Sequence, residues 1–391
     1  MRSGVTLNLV QNSVNKSSSK RNRALDVLRG IAVLMVIFSH VYLPDKTAVQ
    51  HSIFKYIRLF FSLLTIGGWS GVDLFFVLSG FLVSGLLFNE YKKSQSIKPG
   101  RFLIRRGFKI YPGFIFFITT TFLIETFWQN FLGVRFPISD YIKDLFFLHN
   151  YFGGRWTHTW SLDVEEAFYF LLTAMFVILI KSRQLNLKVI INTYLLLLVA
   201  GILGRLIANY THPEYNFDYH FFYTHFRLDA LFFGVLLSYL YNFQKEQFLG
   251  FFSKNKKIIA PLVALLLIPN YLFHRIDNSW ISVVLLATNP LAYGSWIILA
   301  LNSKLRFYCN SILSFIGRSS YAIYLWHPFV NIYANHYLNT SKAGFLIYIA
   351  GYLIFSIIIG YIVTKLLEDP MLKIRDKLYP SQNKTALVPA G

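Results

Sequence analysis

An arginine and a histidine within one long apolar stretch are the residues of this sequence best placed to do chemistry. Arg29 and His40 lie in segment 23–44, which is long and apolar enough to cross a bilayer and also contains Asp26. Ionisable groups at membrane depth are costly and generally functional. On a helix the two residues fall within roughly 20° of each other around the axis and about 16 Å apart along it. One helix face therefore offers a fixed cation near its start and an imidazole near its end, which suits a long substrate held at one end and transformed at the other.

Other features of the sequence limit the kind of chemistry. A lone histidine is more often a hydrogen-bonded core residue than a catalyst. Because His40 shares a helix face with Arg29, a structural role and a catalytic role are equally favoured for it. Cys309 is the single cysteine, which excludes an internal disulfide and a multi-cysteine metal cluster. The sequence motifs of zinc hydrolases, serine hydrolases and nucleotide-binding proteins do not occur here in a sequence context that fits them, so no metal is expected. The remaining histidines near span ends are weaker candidates: His149, His158, His225 and His327.

Basic residues are densest in segment 91–110. Four of them approach a three- to four-residue spacing, which on a short helix would gather them on one side as a phosphate-binding surface: Arg101, Arg105, Arg106 and Lys109. The alternative is an ordinary cytoplasmic loop that touches anionic lipid.

Several carboxylates also enter apolar stretches. Asp163, Glu165 and Glu166 open one of them, where desolvation would keep them protonated or force them to pair with cations. A first helical turn favours acids electrostatically, but that explains one acid more easily than three. Asp73 is a candidate partner for a cation such as Arg29. Charged residues that begin another span, Arg227 and Asp229, are each expected to form a structural ion pair with a different helix.

The composition indicates which elements position these residues. Of 391 residues, 55% are hydrophobic and only 14% are charged, which predicts an all-α integral membrane protein. The net charge of +20 is interpreted as cytoplasmic loops in contact with membrane lipid rather than as nucleic-acid binding. Ten hydrophobic spans are predicted, at 24–43, 71–89, 111–133, 160–180, 187–208, 226–243, 257–273, 279–301, 311–338 and 343–367. Pro290 and Pro328 are expected to interrupt two of them, and segment 141–152 is too short to span.

The distribution of lysine and arginine predicts the orientation. With the N-terminus inside, cytoplasmic segments hold 26 of these residues and the opposite side eight, which favours both termini in the cytoplasm. Residues 1–23 are expected to be a disordered cytoplasmic tail, 24–370 a single membrane domain, and 371–391 a C-terminal cytoplasmic tail.

Six blocks of this sequence, in order, resemble the acyltransferase family 3 membrane proteins, which include bacterial O-acetyltransferases of surface polysaccharides. The blocks are Arg29-x10-His40 preceded by Asp26, then 71–82, 102–112, 159–169, 227–234 and 320–327. The resemblance implies an enzyme of the bacterial inner membrane that moves an acyl group, usually acetyl, from acyl-coenzyme A to a hydroxyl of a glycan or lipid-linked saccharide. Many relatives add an extracytoplasmic esterase-like domain after the last span, which is not expected in this chain.

The resemblance also implies roles for particular residues. Arg29 and His40 match the family's essential arginine and histidine. Arg106 and Lys109 match its two-arginine donor motif, where lysine keeps the charge but loses bidentate phosphate contact. Asp163 stands where a serine is common, which could alter handling of the acceptor.

A mechanism follows as a hypothesis. Acetyl-CoA would bind with its phosphates on Arg105, Arg106 and Lys109, Arg29 would orient it, and neutral His40 would deprotonate the acceptor. Glu165 or Asp73 would orient the imidazole, and a covalent acetyl-histidine is the alternative within the same class. From other classes, a transporter or flippase would also use charges in broken helices, and a structural membrane protein would merely recruit partners.

Overall fold

A computed structural model of the chain describes residues 22–43, 54–127, 137–273, 279–338 and 342–380. Over these ranges the secondary structure is helical, without a β-strand. Five helical stretches are long and apolar enough to cross a membrane by length and composition: Lys55–Ser94, Pro99–Phe127, Leu187–Thr211, Ser279–Leu301 and Gly344–Leu378. The fold is therefore that of an all-α membrane protein, while the count of ten spans and the side of each terminus stay predictions.

Nine α-helices lie between residues 23 and 243 over the described ranges. They are α1 (Arg23–Ser39), α2 (Phe54–Gly67), α3 (Gly71–Ser94), α4 (Pro99–Phe127), α5 (Ile138–Leu145), α6 (His149–Phe152), α7 (Trp160–Lys181), α8 (Leu187–Thr211) and α9 (Leu228–Phe243). A single-turn 3-10 helix joins α2 to α3, and another precedes α7. Helix α2 was not predicted, because its apolar residues were assigned to an outer loop together with the polar residues before them.

Eight further α-helices follow in the described part of the second half. They are α10 (Lys245–Lys254), α11 (Lys256–Leu267), α12 (Pro269–Leu272), α13 (Ser279–Leu301), α14 (Ser311–Arg318), α15 (Ser320–Leu338), α16 (Lys342–Val363) and α17 (Asp369–Leu378). Every predicted span is thus mainly helical in its described residues. Of the predicted C-terminal tail, the described portion begins as helix α17, whereas 1–21 and 381–391 lie outside the described residues.

The expected helix breaks at two prolines are wrong. Helix α13 continues through Pro290 and α15 continues through Pro328, and the ninth predicted span is divided at Ser319 instead. Proline removes the bond to the carbonyl four residues earlier, which for Pro328 is the Tyr324 carbonyl. That carbonyl accepts a hydrogen bond of 2.7 Å from Nδ1 of His327, so a side chain satisfies it and the helix can continue.

Glycines bring two helix pairs into very close contact. A Cβ atom on Gly30 of α1 would collide with the Leu313 carbonyl of α14, and one on Gly317 would collide with the Asp26 carbonyl of α1. Helices α3 and α9 meet in the same way at Gly80, where a Cβ atom would collide with the Leu231 carbonyl. Small residues allow this backbone approach, which fixes α1 within the bundle.

Two buried ion pairs connect α9 to its neighbours. Arg227 pairs with Asp73 of α3, and Asp229 pairs with Arg205 of α8 at 2.7 Å. The prediction that Arg227 and Asp229 each pair with a charge on another helix is confirmed. Asp73 is therefore a partner of Arg227 and not of Arg29 as expected, and its second oxygen accepts a hydrogen bond of 2.8 Å from Asn289.

Candidate active site

His40 follows the last residue of α1 and is exposed on the wall of a cavity. Its Nδ1 lies 2.8 Å from the carbonyl oxygen of Val36 in the preceding helical turn. A carbonyl can only accept, so Nδ1 carries the hydrogen, and in the neutral ring Nε2 keeps its lone pair. Ser39 also donates to that carbonyl and lies 3.1 Å from Nδ1. The end of the helix thus fixes the tautomer that a general base or nucleophile requires.

The cavity beside His40 has a volume of about 440 Å³ and mainly aromatic walls. Six aromatic rings line it: Trp69, Trp160, Phe217, Phe221, Phe222 and Tyr324. Its polar lining consists of Ser39, His40, Thr65, Thr157 and His158, and within the described residues no aspartate, glutamate, lysine or arginine contributes. Apolar rings with a few polar groups are typical of a pocket for a small uncharged molecule.

Two further histidines lie beside His40, and sequence reasoning had ranked both as weaker candidates. The ring of His327 is 5.0 Å from that of His40, centroid to centroid, and 5.5 Å from that of His158. His158 Nε2 donates to the Leu325 carbonyl at 3.1 Å, and His327 is fully buried. His327 closes one of the blocks that carry the family resemblance and His158 immediately precedes another, a signal that could have identified them.

The two carboxylates expected to orient His40 have other partners. Both side-chain oxygens of Asp73 are bonded, one to Arg227 and one to Asn289. Glu165 Oε2 accepts hydrogen bonds from Tyr169 and, at 3.1 Å, from Ser79. The group that orients the His40 ring is consequently the Val36 carbonyl.

The other acids of α7 are bonded to neutral groups. Asp163 accepts from the backbone N–H of Asn150 at 3.1 Å, and Glu166 accepts from the Tyr111 hydroxyl at 2.9 Å. These contacts tie α7 to α6 and α4. Of the two predicted outcomes of desolvation, protonation or pairing with a cation, the second is not seen in the direct contacts described for Asp163 and Glu166.

Two arginines lie near enough to Glu165 to act on its charge. Arg29 and Arg106 both act electrostatically on Glu165, and each also acts on the other. Arg29 is not among the residues that line the His40 cavity. Arg29 and His40 therefore lie in two different environments along α1. Arg29 interacts electrostatically with Glu165 and Arg106 near the start of the helix, and His40 lines a cavity at its end.

Of the four basic residues on the first turns of α4, three are paired with carboxylates. Arg101 contacts Glu90 at 2.8 Å and Arg105 contacts Asp376 of α17 at 2.9 Å. Lys109 pairs with Glu368, which immediately precedes α17.

Arg106 differs from these neighbours. Within the described ranges its guanidinium makes no ion pair, its buried Nε has no hydrogen-bond partner, and its charge lies 5.8 Å from the centre of the Phe102 ring. A half-buried guanidinium without a bonded counter-charge can accept one from a ligand, and its bonds to an anion are charge-assisted. Arg106 is therefore the member of this basic group best placed for an anionic ligand.

Together, these features form a site with two ends. One end has the Arg106 guanidinium, which makes no ion pair within the described ranges, and the other has the His40 imidazole on the wall of a cavity whose described lining carries no charged side chain. Groups of histidine, cysteine and carboxylate that could hold a metal ion are missing from the described residues. The arrangement can bind an anionic molecule at one end and accept a proton from a hydroxyl at the other.

Comparison with known proteins shows the family to which the chain belongs. The Acyltransferase domain family (acyltransferase family 3) matches residues 22–365. The match covers most of the chain, from the residue before α1 into the segment that precedes α17. The protein belongs to this family, as the six sequence blocks predicted.

Curated relatives carry O-acetyltransferase names. A protein of Staphylococcus aureus strain COL, provisionally named an O-acetyltransferase, is 27% identical over 89% of this chain and 57% of its own length. O-acetyltransferase OatA of Staphylococcus aureus strain NCTC 8325 is 24% identical over 78% of this chain and 53% of its own. The chain thus spans about half the length of the curated relatives it matches. No solved structure matches it significantly.

Proposed function

We propose that this protein is a membrane-bound O-acyltransferase that moves an acetyl group from acetyl-CoA to a hydroxyl of a surface polysaccharide or related glycan. The observation that carries the proposal is the His40 ring, held through Nδ1 by the Val36 carbonyl, on the wall of an aromatic cavity at the end of the helix that carries Arg29. Membership of the acyltransferase family and the names of the relatives support acyl transfer. The bacterial inner membrane is the proposed location.

The acceptor enters the His40 cavity. Aromatic rings bind the apolar faces of sugar rings, and the hydroxyl groups of Ser39 and Thr157 can exchange hydrogen bonds with sugar hydroxyls. A cavity of about 440 Å³ without carboxylates or basic side chains on its described walls favours an uncharged sugar unit. The acceptor hydroxyl is then within reach of His40.

The donor binds at the other end of α1. Arg106 accepts a phosphate of coenzyme A because its guanidinium lacks a bonded counter-charge among the described residues. Arg105 and Lys109 add positive potential, but each must exchange a carboxylate for a phosphate before it contacts the donor. Arg29, which acts electrostatically on both Arg106 and Glu165, orients the donor as its extended arm runs along α1 towards His40.

In the proposed reaction, the acetyl group leaves the thioester of the donor and forms an ester with the acceptor hydroxyl in a single transfer. Nε2 of His40 takes the proton of the acceptor hydroxyl while its oxygen attacks the thioester carbonyl, so an O–H bond breaks and a C–O bond forms. The C–S bond then breaks, and the thiolate of coenzyme A takes the proton from Nε2. The products are an O-acetyl ester and a free thiol, and His40 returns to its neutral form.

Surface glycans from cells with and without the intact gene test this function. We expect alkali-labile acetyl esters, detected by mass spectrometry, only when the protein is present. Purified protein in lipid nanodiscs should release free thiol from acetyl-CoA when that glycan is added. Absence of both results, together with protein-dependent uptake or efflux of the glycan in vesicles, would replace the proposal with a transporter.

A further inference from the structure

His327 has a nitrogen that the structure leaves without a partner. The side chain is completely buried, and Nδ1 donates to the Tyr324 carbonyl at 2.7 Å. Nε2 therefore carries a lone pair, and no group in the described part of the chain bonds to it. Leaving a buried acceptor unpaired costs about 1–3 kcal/mol, so its presence calls for an explanation.

The local sequence holds His327 in this tautomer. Pro328 cannot donate a backbone hydrogen bond, which frees the Tyr324 carbonyl four residues before it. Nδ1 of His327 occupies that carbonyl, and the ring cannot rotate without exposing the same carbonyl to an apolar core. The His-Pro pair consequently holds the imidazole in its neutral form with the hydrogen on Nδ1. The negative end of the ring dipole is Nε2, which has no hydrogen-bond partner in the described residues.

This fixed dipole lies against His40. The two ring centroids are 5.0 Å apart and the ring planes meet at 72°, edge to face. Because a ring nitrogen lies close to its ring centre, the bare nitrogen of His327 is near His40 whichever edge it presents. An unpaired nitrogen alone would be weak evidence, since buried His220 has one too, but described ring contacts place the His220 ring against Tyr215.

We propose that His327 is a positioning residue that stabilises the protonated form of His40 during acyl transfer. The proposal rests on the proposed function, in which His40 becomes a cation only while it holds the proton of the acceptor. Neutral His40 gains little from a neighbouring lone pair, whereas protonated His40 is attracted to it. The interaction therefore strengthens as the reaction proceeds, which is the condition for catalysis by a fixed dipole.

The variant His327→Asn tests this role with little change in shape. The asparagine amide can still donate to the Tyr324 carbonyl from the Nδ1 position, but Nε2 is lost. We expect kcat to fall roughly ten- to hundred-fold, the range for losing an interaction with a charged group, with the KM values of donor and acceptor unchanged. The matched control is His220→Asn, which removes an equally buried, unpaired nitrogen elsewhere and should retain wild-type kcat.

Two outcomes would overturn the proposal. One is a His327→Asn protein with the wild-type unfolding temperature and wild-type kcat. The other comes from nitrogen-15 NMR of histidine-labelled wild-type protein in nanodiscs, if it shows a hydrogen on Nε2 of His327 at neutral pH. The NMR measurement needs no variant to fold and no acceptor to be known. Failure of the proposed function would appear differently, as a wild-type protein that transfers no acyl group.

Discussion

Replacement of His40 by asparagine isolates the proton-accepting nitrogen from every other property of this residue. In His40→Asn the amide nitrogen stands near the position of Nδ1 and can still donate to the Val36 carbonyl. The end of α1 therefore keeps its hydrogen bond, and the volume of the cavity changes little. What is lost is Nε2, the atom that receives the proton.

The expected effect can be estimated from the role and the geometry. General-base catalysis contributes about 10²–10⁴-fold, which corresponds to about 2.7–5.4 kcal/mol in activation free energy. We expect kcat to fall by that factor. Affinity for coenzyme A should stay within roughly twofold, since eleven helical residues separate His40 from Arg29 by about 16 Å.

Two measurements on purified protein in nanodiscs check this expectation. Thiol release from acetyl-CoA in the presence of the glycan gives kcat, and calorimetric titration with coenzyme A gives the dissociation constant. His336→Asn is a suitable control, because this exposed histidine of α15 is not among the residues that line the cavity. Wild-type kcat in His40→Asn would refute the general-base role, and equal losses in kcat and donor affinity would indicate a binding role instead.

Three further predictions concern the donor site and the packing of the bundle. Arg106→Gln should weaken coenzyme A binding by roughly ten- to hundred-fold because a charge-assisted phosphate contact is lost, and Arg106→Lys should recover part of it; unchanged affinity in a calorimetric titration would place the phosphates elsewhere. Asp73→Asn leaves Arg227 buried without its counter-charge and should lower the free energy of unfolding by about 3–5 kcal/mol, whereas adding Arg227→Met should restore much of it. A thermal unfolding curve equal to wild type would contradict the pair's importance. Gly317→Val inserts a side chain against the Asp26 carbonyl and should cost about 1–3 kcal/mol. The control Gly250→Ala, where a Cβ meets nothing within 4 Å, should leave the unfolding temperature nearly unchanged, and equal behaviour of the two variants would disprove the close α1–α14 contact.

The sequence by itself determined what depends on neighbours along the chain. Apolar runs of sufficient length must hydrogen-bond their own backbone in lipid, so every predicted span is mainly helical where it is described. The same rule predicted the helix that carries Arg29 and ends just before His40. Charges at the start of α9 had to be neutralised, so the existence of ion pairs from Arg227 and Asp229 could be predicted, although their partners could not.

Only the tertiary structure decided which distant groups meet. Asp73 forms its ion pair with Arg227 rather than with Arg29, because the close contact at Gly80 brings helices α3 and α9 together. Proline was expected to break α15, but the cost of a freed carbonyl depends on what lies nearby, and the side chain of His327 supplies the missing hydrogen bond. The three neighbouring histidines are His40 at the end of α1, His158 in the turn before α7 and His327 in α15. The periodicity of apolar residues along the chain could not predict that these three residues meet. Helical patterns report which face of a segment is apolar, whereas the partner across that face is chosen by the packing of the whole bundle.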